Sequence, residues 1–202
     1  MYVKICGLRT IEHVDAAIAA GADAIGLVLV PSPREVDVDT ARALSRRAGS
    51  IDRVAVFRDL THDAIALALA AECTHLQARG SAAAFRALPS TLRPFPAVLE
   101  TDDSFDTLAA LDQPVLFDGA TQGSGHASSR VRAGELARRA RLVLAGGLTP
   151  DDVGEAIATV RPFGVDVSSG VEHRRGEKDV ALVHAFVRAA RAASLSLREV
   201  SS

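Results

Sequence analysis

The 202-residue chain has no tryptophan, one tyrosine, one methionine and two cysteines. Two cysteines, Cys6 and Cys73, are too few for a disulfide framework. Neither belongs to a Cys-x-x-Cys or Cys/His cluster with zinc spacing. No His/Asp/Glu set has metal-ligand spacing either, so metal-free chemistry is expected. There is no run of about 18 apolar residues, which argues against a membrane span. The N-terminus enters a strand directly, without the basic and apolar regions of a secretory signal. These absences point to a reducing, cytoplasmic setting. The formal net charge of −2 shows none of the basic excess of a nucleic-acid binder.

What is present is an alternation. The apolar content of 48% is enough for a sizeable core. Short β-rich runs are expected at Val3–Cys6, Ala24–Leu29, Arg53–Phe57, His75–Gln77, Phe95–Leu99, Val115–Asp118, Leu142–Ala145 and Val165–Val167. Helices are expected at Ile11–Ala20, Asp39–Ala48, His62–Ala71, Ala82–Ala87, Phe105–Leu111, Arg132–Arg139, Pro150–Ala158 and Lys178–Ala193. Thr10 is placed to cap the first helix and Gly21 to end it. Thr149-Pro150-Asp151-Asp152 reads as a cap, a first-turn proline and acids suited to the helix dipole. Val183, Phe186 and Val187 form the buried face of the last helix, with Arg188 and Arg191 outside. The tail Ser194–Ser202 reads as frayed.

Strands such as Ala24-Ile25-Gly26-Leu27-Val28-Leu29 are almost continuously apolar, as in a parallel sheet covered by helices. Eight strand–helix units without a break predict one α/β domain over residues 1–202, a small (β/α)8 barrel. An open doubly wound sheet is the alternative, weakened because Gly7-Leu8-Arg9 is no Gly-x-Gly-x-x-Gly fingerprint.

A barrel's site lies at the C-terminal ends of its strands. Those ends carry Cys6; Pro31-Ser32-Pro33-Arg34; Phe57-Arg58-Asp59; Gln77-Ala78-Arg79-Gly80; Glu100; Asp118; Gly146-Gly147; and Asp166 with Ser168-Ser169-Gly170. Cys6 can be a nucleophile, a general base or a packed structural thiol. Asp118 ends an apolar strand, where partial desolvation favours an acid role. A capping or turn role before Gly119 is the other reading. Gly146-Gly147 and Ser168-Ser169-Gly170 follow strands seven and eight, where such barrels usually hold phosphate, so a phosphorylated small molecule is the expected partner. Arg34, on a loop stiffened by two prolines, can grip a carboxylate or phosphate bidentately, or simply be solvated. Lys4 is placed to pair with a carboxylate inside the barrel. The loop Thr121-Gln122-Gly123-Ser124-Gly125-His126 is a lid or an ordinary loop, with His126 a weak candidate. Cys6 and Asp118 from distant strands together give the acid–base pattern of an isomerase or lyase.

Several blocks also carry a resemblance. Lys4-Ile5-Cys6-Gly7-Leu8, Gly21-Ala22-Asp23, Ser32-Pro33-Arg34, Leu144-Ala145-Gly146-Gly147-Leu148 and Asp166-Val167-Ser168-Ser169-Gly170-Val171-Glu172, followed by Gly176-x-Lys178-Asp179, resemble phosphoribosylanthranilate isomerase of tryptophan biosynthesis. They occur in the right order over nearly the whole chain. The resemblance implies a (β/α)8 barrel and an Amadori rearrangement of N-(5-phosphoribosyl)anthranilate without metal or cofactor. It implies that Asp118 is the general acid and Cys6 the general base. Arg34 would hold the anthranilate carboxylate. Gly146, Gly147, Ser168, Ser169 and Gly170 would cradle the phosphate, with Asp166 in the matching strand-eight motif.

The chain departs from the family pattern at Arg79 (usually His), at Arg58 (usually Asn), at Val28-Leu29-Val30, and after Gly125, where Phe and Trp are usual. These departures lie near the mouth that would take the aromatic part of the substrate. The acid, base and phosphate positions are intact. A divergent relative acting on another aminated ribose phosphate and a non-catalytic phosphosugar-binding barrel are the competing readings. A monomer is the simplest assembly and a homodimer the alternative.

Overall fold

The computed structural model describes residues 1–99, 104–119 and 126–200, with the backbone alone for 126–129 and 198–200. Eight parallel strands close into a barrel: β1 (Tyr2–Cys6), β2 (Ala24–Val28), β3 (Asp52–Asp59), β4 (His75–Arg79), β5 (Arg93–Leu99), β6 (Val115–Asp118), β7 (Leu142–Ala145) and β8 (Gly164–Val167). Closure is made by β8 against β1, with Lys4 opposite Asp166 in the register. That pairing rules out the open-sheet alternative. Among the described residues eight helices cover the barrel: α1 (Ile11–Ala20), α2 (Val38–Ala48), α3 (His62–Ala70), α4 (Ala82–Arg86), α5 (Phe105–Ala109), α6 (His126–Ala137), α7 (Val153–Val160) and α8 (Val180–Val200).

The apolar strands are explained by their two faces. Alternate residues point outward into one cluster with the helices, among them Val3, Ile5, Ile25, Leu27, Leu76, Phe117 and Val165. The intervening residues fill the lumen with a second, smaller cluster of Ala24, Val54, Phe95, Leu116, Val143 and Ala145. Both faces are covered, so neither tolerates a regular polar alternation.

The first helix forms as its sequence predicts. The Thr10 side chain accepts from the His13 N–H at 3.2 Å, and Gly21 ends the helix in the left-handed region at φ 85°. Four expectations need correction. The sixth helix begins at His126, ahead of the expected Arg132. The seventh begins at Val153, because Asp152 accepts from the Thr149 N–H at 2.7 Å and turns Thr149–Asp152 into a loop. Lys178 lies outside the last helix. It belongs to a hairpin of β9 (Glu172–Arg174) and β10 (Glu177–Lys178), which follows a 3-10 turn at Ser169–Val171. Asp179 then caps the helix by accepting from the Leu182 N–H at 3.0 Å. Finally, the helix runs on to Val200, where a frayed tail was expected.

The segment Val180–Leu197 of α8 is long and apolar enough, by length and composition, to cross a membrane. In the structure it is a barrel helix. Its buried stripe is Val183, Phe186, Val187 and Ala190. Arg191, expected outside, reaches back to bond Gly21 O at 2.8 Å and Asp23 Oδ2 at 2.7 Å.

Candidate active site

Lys4 and Cys6 are alternate residues of β1, so both enter the lumen. Gly26 lies opposite Cys6 in the β1–β2 register. A methyl group on Gly26 would stand 2.7 Å from Cys6 Sγ and 3.1 Å from Lys4 Nζ. The missing side chain on β2 therefore gives thiol and ammonium one shared space. Lys4 is fully buried and its Nζ sits 2.9 Å from Asp166 Oδ1. Burial works against the Lys4 charge, but Asp166 and Cys6 outweigh it and the ammonium is held above its ordinary range. The partner expected for Lys4 inside the barrel is thus Asp166.

Cys6 is buried, and burial pushes its thiol up; the Lys4 and Lys178 charges pull the other way. Cys73, the second free thiol, lies among the helix-side residues near Ser45, where burial pushes it to about 11. Its place is structural.

Cys6 and Asp118, from β1 and β6, line one cavity of about 290 Å³ at the C-terminal end of the barrel. Gly146, Gly147, Ser168, Ser169 and Asp166 line the same cavity. Gly146 and Gly147 adopt φ of 99° and 66°, a left-handed pair that favours glycine and turns the backbone toward the opening. Gly170 is not part of the lining. A methyl group there would fall 1.8 Å from Leu148 O, so Gly170 is where the loops after β7 and β8 pack together.

Arg34 also stands apart from the cavity lining. Its Nε and Nη2 donate to Glu172 Oε1 at 2.6 Å and Oε2 at 2.9 Å, a bidentate grip on the chain's own carboxylate. Lys178, 3% exposed, donates to the same Glu172 Oε1 at 2.8 Å and to Ser168 O at 2.9 Å. Burial would raise the Glu172 carboxyl, but the bonds from Arg34 and Lys178 overcome it and hold the group at about 2.

A neighbouring cavity of about 310 Å³ shares Gln77, Leu116 and Asp118 with the first and is rimmed by Arg58 and Arg79. Arg79 Nη2 donates to Asp59 Oδ1 at 2.9 Å. Glu100 and the loop Thr121–Gly125 lie outside the described residues, as does the His126 side chain.

Three contributors, Gly26, Glu172 and Lys178, escape a reading of strand ends alone, while Gln77 is among those ends with no role expected of it. Gly26 acts by lacking a side chain. Gln77 lies between the two cavities, and its buried Oε1 has no partner among the described residues. Glu172 and Lys178 sit on the hairpin beyond strand eight; the only signal for them is their place within the family-like motifs.

Fold and cavity define a class: a (β/α)8-barrel enzyme with its site at the C-terminal strand ends and acid–base groups from separate strands. Comparison narrows it. A model of the family described as N-(5'-phosphoribosyl)anthranilate (PRA) isomerase matches residues 3–189. An N-(5'-phosphoribosyl)anthranilate isomerase of Roseiflexus castenholzii is 39% identical over 96% of this chain and 100% of its own length. The crystal structure of TrpF from Jonesia denitrificans aligns with a TM-score of 0.83 at 40% identity, covering 96% of this chain and 98% of that one. A phosphoribosyl anthranilate isomerase crystallised with reduced 1-(o-carboxyphenylamino)-1-deoxyribulose 5-phosphate aligns with a TM-score of 0.81 at 30% identity, covering 95% and 99%. The chain belongs to the phosphoribosylanthranilate isomerase family.

Proposed function

We propose that the chain converts N-(5'-phosphoribosyl)anthranilate to 1-(2-carboxyphenylamino)-1-deoxyribulose 5-phosphate by general acid–base catalysis. The observation that carries this reading is that Cys6 and Asp118 share one cavity with Gly146, Gly147, Ser168 and Ser169. In the scheme, the backbone of Gly146-Gly147 and the Ser168-Ser169 segment hold the phosphate, with Gly170 fixing the spacing of the two loops. Asp118 protonates the ribose ring oxygen and the ring opens to an iminium. The iminium acidifies the neighbouring C2–H, and the Cys6 thiolate removes that proton to give the enolamine. Tautomerisation of the enolamine yields the ketone. Protein groups supply every proton transfer, so the scheme calls for no metal or cofactor. Asp166 acts through Lys4. Arg34 takes the anthranilate carboxylate by exchanging or sharing its grip on Glu172.

The test is direct. Purified protein is mixed with freshly made phosphoribosylanthranilate and the loss of its fluorescence is followed. Folded protein without turnover would overturn the reading. The guanidinium groups of Arg58 and Arg79 on the adjoining cavity favour one alternative: an aminated ribose phosphate with a further anionic group. Such a compound, used as competitor, would bind more tightly than phosphoribosylanthranilate if the alternative holds. We also propose a monomer in a reducing, cytoplasmic compartment, a state that light scattering in solution checks.

A further inference from the structure

The chain contains 21 arginines but only two lysines, Lys4 and Lys178. Both lysines are buried, 0% and 3% exposed, and both act on Cys6. Lysine is the cation whose compact ammonium can be fully wrapped in a small niche. Lys178 is wrapped in this way. Its three N–H donors go to Ser168 O at 2.9 Å, Ser168 Oγ at 3.3 Å and Glu172 Oε1 at 2.8 Å. Ser168 Oγ in turn donates to the Cys6 backbone carbonyl at 3.1 Å. No donor of Lys178 is left for a thiolate or a substrate, so its influence on Cys6 is that of a fixed charge.

The charges around Cys6 divide into two groups. On its own strand and on β8, Lys4 pairs with Asp166 at 2.9 Å, and at the thiol the Lys4 charge outweighs that of Asp166. On the other side, Glu172 of β9 is shared between Lys178 of β10 and Arg34 of the loop after β2. That trio carries two positive charges against one negative. Strand β2 adds no charge, since Gly26 is its residue opposite Cys6. Asp118 faces the thiol region from β6 across the cavity. The Arg34–Glu172–Lys178 trio therefore adds one uncompensated positive charge to the effect of Lys4 on the thiol.

We propose that Lys178 and Glu172 are positioning residues that set the acidity of Cys6 from behind the loop after β8, Lys178 supplying the charge that favours the thiolate and Glu172 limiting it while aligning Arg34. The proposal rests on the reading of Cys6 as the base. It predicts opposite effects for two neighbouring substitutions, which a purely structural role for either residue would not give.

The test uses full-length protein in a Cys73→Ala background, so that Cys6 is the only thiol. Its alkylation by iodoacetamide is followed against pH at fixed salt, with circular dichroism to confirm folding. Lys178→Met is expected to move the midpoint up by about one unit, a tenfold slower reaction near neutral pH. Glu172→Gln is expected to move it down, while KM for phosphoribosylanthranilate rises as Arg34 loses its alignment. Lys178→Arg, which keeps the charge, should stay closer to the parent midpoint than Lys178→Met. Shifts in the same direction, or no shift in either variant, would overturn the proposal. If Lys178→Met does not fold, Glu172→Gln decides alone: an unchanged or raised midpoint rejects the assignment. Because alkylation needs no turnover, the outcomes stay separable. An active Cys6→Ala enzyme would remove the base assignment, whereas the titration would still report whether the trio governs the thiol.

Discussion

The two ends of the barrel lumen are built by the same alternation of strand residues, yet they hold different chemistry. At the N-terminal end the fill is aromatic. Tyr2 stacks on Phe163 with ring centroids 5.6 Å apart and lies 6.4 Å from Phe95, which His75 meets edge-on at 6.2 Å. The Tyr2 hydroxyl donates to Asp52 at 3.1 Å, and burial together with that carboxylate keeps it protonated. Burial also holds His75 below its ordinary range, toward the neutral form. At the C-terminal end the lumen carries Lys4, Cys6, Gln77, Asp118 and Asp166 around an open cavity. One end is stabilised by ring packing that suppresses charge. The other concentrates charge in a small volume, where desolvation is costly and pairing must offset it. Aromatic packing and the proposed acid–base groups are thus placed at opposite ends of one cylinder.

Substitutions should separate the two ends. The largest effect is expected at the top. Asp118→Asn or Cys6→Ala should lower turnover by about 10²–10⁴-fold, with the melting temperature little changed; an active variant would show that the cavity is not the reacting centre. Next, Phe95→Ala should cost about 3–5 kcal/mol in urea unfolding, while the folded fraction keeps its turnover number. A drop in turnover matching that of Cys6→Ala would erase the distinction.

A smaller effect comes from pH, which acts in different windows at the two ends. In the proposed scheme turnover needs the Cys6 thiolate, and burial raises the thiol, so kcat/KM should climb with pH past the ordinary thiol value of about 8.5. Stability should respond at the bottom. His75 is depressed in the folded state, so the unfolded chain binds the proton more readily. Stability is full above the unfolded value of 6.5 and is lost as pH falls below it toward the folded value. Urea titrations at pH 7 and pH 5.5 read this, and His75→Gln should flatten the difference. The smallest effect is Tyr2→Phe, which removes one hydroxyl bond: about 1 kcal/mol of stability and no change in kcat.

Particular elements show what could be read ahead of the structure. The strand ends were legible because a covered parallel strand is a short apolar run, and its last residue is where polarity resumes. Cys6 and Asp118 were found in that way, and so were the Gly146-Gly147 and Ser168-Ser169 loops. The helix starts were harder. Pro150 in Thr149-Pro150-Asp151-Asp152 suits a first helical turn, yet the Asp152 carboxylate takes the Thr149 N–H and delays the helix to Val153. Lys178 fits a helical period, but Asp179 is the residue that caps, leaving Lys178 on the hairpin. In each case a local side chain to backbone bond chose between two starts that periodicity could not distinguish.

Arg34 marks the deeper limit. Its loop and its capacity for a bidentate grip were readable, but its partner Glu172 is 138 positions away. The same holds for Lys4 with Asp166, 162 positions apart, and for the empty space over Gly26 that admits the thiol. By itself the sequence determined the repeating strand–helix unit and the residues that end each strand, because those follow from local periodicity and burial. Only the tertiary structure decided which charges meet, since barrel closure and strand register bring distant positions within about 3 Å, the range at which hydrogen bonding and charge set their chemistry.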